Sequence, residues 1–400
     1  MRHRRTAAAM LLLVLLAAGC GRDGAPSVQL QHPRTPTPGA KGTETTAAQD
    51  LGFPAFATKN TTRVGGADPT ADAAAIARAV YSGSSRVTRP HAVALVDSED
   101  WRVGLAASVL MSDPVRAPVL YAHGTELPGA SAEALDALDP TGSKAAGGAQ
   151  VVRVGDVPQL DERPTTDLRG TDPIALARAI DAFQSAARGA TSDRVMVVSA
   201  DDAAYAMPAA AWAAKAGDPV LFAHRDAVPA DTRAAIAAHQ QPKIYVLGPP
   251  DVISDKAVAQ LKRLGSVTRI AGDDPVANAI AFARFTDGPF GWGVVDPGHG
   301  VVFANADRPG DAAAAAPLSA SGTYGPLLLT DDAGRLPQAL TSYLLDIQPG
   351  YSRDPVRGVY NHGWIVGDEG AVSVDVQSRI DALLEIVPVN ERAPRTTSTQ

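Results

Sequence analysis

Short apolar runs without alternation recur along the chain, separated by polar loops and alanine-rich stretches of helical period. The runs at 92–96, 195–198 and 301–303 read as strands buried on both faces of a parallel sheet. Each is followed by a polar loop (97–102, 199–205 and 305–311) and a helix of small residues (105–111, 209–215 and 312–318). A proline then introduces a second strand in every copy, at Pro118, Pro219 and Pro326. Proline is tolerated there because a first strand residue owes no hydrogen bond to the ladder. Leu127-Pro128, Val228-Pro229 and Leu336-Pro337 open a further helix, with proline suited to the first turn. A last apolar strand ends on a glycine: Gly155, Gly248 and Gly367.

Ahead of each copy stands Gly-x-Asp-Pro: Gly66-Ala67-Asp68-Pro69, Gly170-Thr171-Asp172-Pro173 and Gly272-Asp273-Asp274-Pro275. The Asp can accept from free N–H groups of a helix and the Pro fits its first turn, so the three aspartates read as caps and the stretches after them as helices. The copies lie about a hundred residues apart, a period that marks tandem repeats. The expected fold is α/β: three tandem parallel-sheet β-α-β modules, with right-handed connections and helices on both sheet faces. No Pro/Gly/Ser-rich linker separates the modules, so they are expected to pack around a pseudo-threefold axis.

The ends differ from the middle. Arg2, His3, Arg4 and Arg5 precede an apolar stretch that closes with Leu16-Ala17-Ala18-Gly19-Cys20. That stretch is shorter than the roughly 20 apolar residues a spanning helix needs. It resembles a bacterial lipoprotein signal, in which Cys20 is the lipidated mature N-terminus. Cys20 is the only cysteine, which leaves no intrachain disulfide. The expected organisation is a signal peptide at 1–19, a flexible Pro/Gly/Thr-rich tether at 20–60, repeats at 61–165, 166–266 and 267–388, and a disordered tail at 389–400. Net charge is −7, and removing the signal takes away three arginines. That balance argues against nucleic acid and against a polybasic membrane patch as partners. Attachment to the membrane would be through lipid alone.

The order of features resembles the cell wall-binding repeat 2 family, whose modules usually occur three in a row. Arg63-Val64-Gly65-Gly66-Ala67-Asp68 matches the family's opening, and Thr268-Arg269-Ile270-Ala271-Gly272 matches it more loosely. Leu327-Leu328-Leu329-Thr330 matches its proline-led strand, and Val252-Ile253-Ser254-Asp255 and Ala371-Val372-Ser373 match its closing turn. The family's arginine after the opening Asp is Pro69, Pro173 and Pro275 here. Its Asp-Ala-Leu loop survives in part as Asp311-Ala312, and the first repeat lacks a Val-Ser turn. The resemblance covers residues 63 to about 388. It implies non-covalent attachment to an anionic or glycan polymer of a Gram-positive wall.

In parallel α/β sheets, ligands bind beyond the carboxyl ends of the strands, where loops lead to helix N-termini. That singles out Asp100, Arg102, Asp201, Asp202, Arg308 and Asp311 as candidate ligand-binding residues, the two arginines as forks for carboxylate or phosphate. Solvated loop residues are the plain alternative. His123, His224 and Asp331 sit five residues past the three strand prolines and could ligate a divalent metal if the modules brought them together. Strand-end polar residues facing solvent are the default. No nucleophile elbow, phosphate loop, zinc-protease helix or dinucleotide fingerprint is present in the sequence, so neither catalysis nor a cofactor is expected. Aromatic content is 5%, which leaves Trp101 and Trp292 as isolated sugar-stacking surfaces. A lipid-anchored, extracytoplasmic wall-polymer binder is therefore expected. The alternative is a solute-binding lipoprotein of a transporter, which would need two lobes and one deep cleft.

Overall fold

Each repeat folds in the order its apolar runs predict, and each sheet is completed by the repeat that follows. The computed structural model describes residues 55–321 and 324–389. The signal at 1–19, Cys20, the tether up to 54 and the tail from 390 lie outside the described residues.

The first repeat begins with β1 (Ala55–Ala57) and β2 (Thr61–Val64) and continues through α1 (Pro69–Val80), β3 (Val93–Asp97), α2 (Trp101–Ala107), β4 (Val119–Ala122), α3 (Gly129–Leu138) and β5 (Val151–Val154). A 3-10 turn at Ser108–Met111 prolongs α2. The second comprises β6 (Thr165–Leu168), α4 (Pro173–Arg188), β7 (Arg194–Ser199), α5 (Ala203–Ala206), α6 (Pro208–Ala216), β8 (Val220–Ala223), α7 (Ala230–Ala238), β9 (Lys243–Leu247) and α8 (Asp255–Leu261). The third comprises β10 (Ser266–Ile270), α9 (Pro275–Arg284), β11 (Gly300–Asn305), α10 (Gly310–Ala320), β12 (Leu327–Thr330), α11 (Gln338–Asp346), β13 (Gly350–Tyr351), β14 (His362–Val366), α12 (Val374–Leu384) and β15 (Val387–Pro388).

The aspartates of Gly-x-Asp-Pro are helix caps, as the motif predicts. Asp68 accepts from Ala71, Asp172 from Ile174 and Ala175, and Asp274 from Ala277. The strand orders are β4-β3-β5-β6, β8-β7-β9-β10 and β12-β11-β14-β2, the last extended by β1. All pairs in these sheets are parallel except β1 with β2. The opening strand of each repeat thus lies in the sheet of the repeat before it. β2, from the first repeat, completes the sheet of the third and closes the cycle. Residues 55–60, expected within the tether, belong to this closure: β1 pairs with β2, and buried Asn60 donates to Asp381 and Glu385.

Helix packing follows the same cycle. The second helices of the three repeats, α2 with its 3-10 extension, α6 and α10, pack on one another. Each capped helix packs at the start of the second helix of the preceding repeat: α4 on α2, α9 on α5, the short helix that leads into α6, and α1 on α10. The same contact made three times is the signature of a pseudo-threefold axis. Small residues make the centre possible. A Cβ on Gly104 would stand 2.9 Å from the Tyr121 hydroxyl and 3.3 Å from Ala313 Cβ.

An arginine staples each closing loop, but not always from the same strand. Arg63 on β2 donates to the carbonyls of Gly367, Asp368 and Val372, and Arg269 on β10 donates to Gly248. In the first sheet that strand position holds Asp167, and the cross-strand neighbour Arg153 on β5 donates to Val157 and Pro158 and pairs with Asp167 at 2.8 Å. The second and third repeats carry a helix after this loop, α8 and α12; the first runs to β6 without one.

Candidate functional site

Strand order reverses between two adjacent central strands of each sheet, β3/β5, β7/β9 and β11/β14, and such switch points open crevices at the strand carboxyl ends. The residue that ends each first strand turns the chain with its own side chain. Asp97 accepts from Glu99 N at 3.1 Å, Ser199 from Asp201 N and Asp202 N at 3.0 and 2.9 Å, and Asn305 from Asp307 N at 2.9 Å. Three different side chains therefore perform one geometric task, and the loops beyond them can be compared position by position.

In the first loop Asp100 caps α2, accepting from Arg102 N at 2.9 Å. The Arg102 guanidinium pairs with Asp100 at 3.0 Å, donates to the Ala200 carbonyl of the second repeat at 2.6 Å, and lies 4.9 Å from the Trp101 ring. It ties two repeats together and covers the indole face expected to take a sugar. In the second loop Asp201 accepts from the Arg225 backbone at 3.2 Å and meets His224 Nδ1 at 2.7 Å. Asp202 stands at the N-cap of α5 without a side-chain cap bond.

The third loop is occupied by its own chain. Arg308 donates to Asp311 at 2.7 Å, to the Ala67 carbonyl at 3.1 Å and to Asp72 on α1. Asp72 and Asp311 have fully buried side chains, 0% exposed. Burial, then the neighbouring Asp311 charge, pushes the Asp72 carboxyl up to about 9, and burial also raises Asp311. Two buried carboxyls facing one guanidinium favour retention of a proton by the pair, in line with the upward push on Asp72. Gly65 lies against it at φ +137°, where a Cβ would come within 2.2 Å of the Asp72 carboxylate. Arg308 and Asp311, expected to face a ligand, are therefore joined to Asp72 as the seal of the ring. The sequence signal for Asp72 was a carboxylate on the inner face of an alanine-rich helix, four residues past its cap. Its counterpart Asn278, four past Asp274, is buried too and bonds Gly272 N and the Tyr205 carbonyl.

The metal candidates do not converge. Each ends the second strand of its own sheet and has its own partner: His123 lies 3.8 Å from Glu99, His224 beside Asp201, and Asp331 3.4 Å from Arg335. Repeat symmetry sets them apart around the axis. Among the described residues no group of three His, Cys, Asp or Glu could hold a metal ion. Trp292 packs edge-on against Trp212 at 5.3 Å and carries Lys215 over its ring, so it is engaged internally as well. Among the described residues, no helix is long and apolar enough to cross a membrane.

Comparison with known proteins agrees with this architecture. The sequence model described as Cell wall binding domain 2 (CWB2) matches residues 168–258 and 269–377, which are most of the second and third repeats. No curated protein matches the sequence. Two solved structures share the fold. Cwp8 from Clostridium difficile superposes with a TM-score of 0.61 at 18% identity, over 82% of this chain and 52% of its own. Cwp6 from Clostridium difficile does so with a TM-score of 0.64 at 18% identity, over 86% of this chain and 52% of its own. The chain thus spans about half the length of these structures. With half of its residues matched by the family's own model and its sheets and helices arranged as three equivalent modules, the chain belongs to the Cell wall binding domain 2 (CWB2) family.

Proposed function

We propose that this protein is a lipid-anchored envelope protein that binds an anionic or glycan polymer of the cell wall, non-covalently, through its three α/β repeats. The family match across the second and third repeats is the observation that carries this. The cyclic exchange of strands supports it, because it presents three equivalent modules on one rigid frame. Family and fold point to binding and not to catalysis. A transporter's solute-binding lipoprotein is not favoured: three sheets around an axis are not two lobes about a cleft.

The anchor rests on the sequence around Cys20. One acyl chain holds a protein to a membrane only marginally and two hold it stably, so a multiply acylated Cys20 would place the repeats on the extracytoplasmic face. Retention on purified Gram-positive wall tests the binding role, and absence of retention at every salt concentration removes it. Release of the Cys20→Ala chain from the membrane fraction tests the anchor; a variant still sedimenting with membranes would show that lipid on Cys20 is not what holds it.

A further inference from the structure

Cap chemistry gives the ring two faces of opposite sign. Every helix that follows a strand starts at the strand carboxyl ends, and there the chain places Asp68, Asp100, Asp172 and Asp274 as caps. Glu99, Asp201 and Asp307 lie in the loops between them. The opposite face collects the helix C-termini, with Arg78, Arg188, Lys215 and Arg284 in last turns. Both sets suit the helix dipole. Together they bias the strand carboxyl face, where α/β proteins usually bind ligands, toward negative charge, with Arg225 and Arg335 as its exposed cations.

Two recesses open on the basic face. The C-terminal ends of α1, the 3-10 turn after α2, α6 and α10 surround a recess of about 620 Å³ on the axis. Tyr81, Thr88, Ser112, Arg116 and Lys215 line it, with Asp113 as its acidic residue. A second recess of about 310 Å³, lined by Arg86, Thr141 and the paired Arg89 and Asp139, adjoins it across the 3-10 turn Arg86–Thr88.

Lys215 and Arg86 are free of internal ion pairs among the described residues, unlike Arg308, whereas Arg89 is paired with Asp139. Lys215 Nζ sits 4.7 Å from the ring centroids of both Trp212 and Trp292 and has no carboxylate partner among the described residues. Two indole faces hold an ammonium in place but leave its N–H donors to be met by an acceptor from outside. Burial lowers the Lys215 pKa, as expected of a charge without a counter-ion. Arg116 has its nearest carboxylate, Asp113, at 3.9 Å, and Arg86 makes no ion pair among the described residues.

We propose that the wall polymer docks on the helix C-terminal face, with Lys215 and Arg116 taking one phosphate or carboxylate in the axial recess and Arg86 taking the next. The placement rests on the wall-polymer reading above and commits it to a polymer with anions repeated along a hydroxylated chain.

The test uses the full chain on immobilised poly(glycerol phosphate), with a carboxylate polysaccharide and neutral dextran as comparison probes. Lys215→Met combined with Arg116→Gln should weaken retention by about tenfold per cation removed. Arg102→Gln on the opposite face addresses the rival placement. Polymer protection of backbone amides against hydrogen exchange, read on the unmodified chain, covers the case in which the double variant misfolds. Protection at 81–89, 111–116 and 214–217 is expected. Protection at 97–102, 201–205 and 305–311, or retention lost with Arg102→Gln and kept by the double variant, overturns the placement while leaving wall binding intact. Failure of the unmodified chain to bind any anionic probe or purified wall overturns the functional reading itself. Binding to phosphatidylglycerol vesicles and to no polymer assigns the face to the membrane and overturns the proposal.

Discussion

The junction that closes the ring and the junction between the first and second repeats occupy equivalent places and are built from opposite materials. At the closure, α1 presents Asp72 to α10, and Arg308 joins it to Asp311 with both carboxylates fully buried. Where α4 meets α2, the same two positions are Leu176 and Val103, both buried. The third junction lies between these extremes, with Asn278 and Tyr205. Packing two repeats therefore does not require charge at this spot. A buried ion triad adds little net stability over apolar packing, but breaking it is costly because a charge is left unpaired. The closure joins Arg308 to Asp72 across 236 positions in sequence, where loop entropy opposes association most. A contact that penalises mispairing is more useful there than between sequence neighbours.

The largest effect should come from removing the cation at the closure. Arg308→Met leaves two buried carboxylates with one proton between them and should cost about 3–5 kcal/mol, read as a lower midpoint in urea. A loss below about 1 kcal/mol would mean that water reaches the carboxylates and that the seal is not dry. At the apolar junction, Leu176→Ala should cost about 2–3 kcal/mol through lost packing, and its cost should not change with pH. Strong pH dependence in that variant would show that the two junctions are coupled and that the contrast between them is false.

This contrast was only half legible in the sequence. The caps, the proline-led strands and the order of elements followed from local chemistry: Asp68-Pro69 can do little other than start a helix. The strand exchange did not. Thr61–Val64, Thr165–Leu168 and Ser266–Ile270 are short and partly polar, and nothing local says that they pair with the previous repeat. The same non-locality hid the role of Arg308. Its loop position suggested a ligand fork, but its partner Asp72 lies in another repeat. Arg153 and Asp167 show the difficulty from a third side, since the stapling arginine changed strands and only the register between β5 and β6 reveals it.

Two buried protons give the fold a pH dependence of predictable sign. Burial alone would lower the pKa of His239, but its hydrogen bond to Asp181 at 2.9 Å and the Asp181 charge hold it above its usual value. Its stabilising contribution is complete below about 6.5 and is lost as pH rises through the raised value. The Asp72 carboxyl is also raised, through burial and the charge of Asp311. Its contribution is complete below about 4 and is lost as pH rises toward about 9. Both act in the same direction, so the unfolding temperature should fall between pH 6 and pH 9. His239→Gln should remove the part of that fall that begins near pH 6.5, and Asp72→Asn the part that runs through the whole range. An unfolding temperature that rises over this range would contradict both assignments.

The smallest effect is expected from Asp72→Asn, which is also the sharpest probe of the closure. Asn278 already fills this position at the neighbouring junction, where its carbonyl accepts from Gly272 N as Asp72 accepts from Gly66 N. An amide at 72 can keep that bond through its carbonyl, while its NH2 replaces the oxygen that accepts from Arg308, so that one hydrogen bond is lost. Arg308 keeps Asp311 and the Ala67 carbonyl. The net change should stay within about 1 kcal/mol, far below that of Arg308→Met, because no charge is stranded. A cost for Asp72→Asn equal to that of Arg308→Met would mean that Asp72 is ionised in the folded state. Arg308 would then balance two full negative charges, and the closure would be an ion triad with no shared proton.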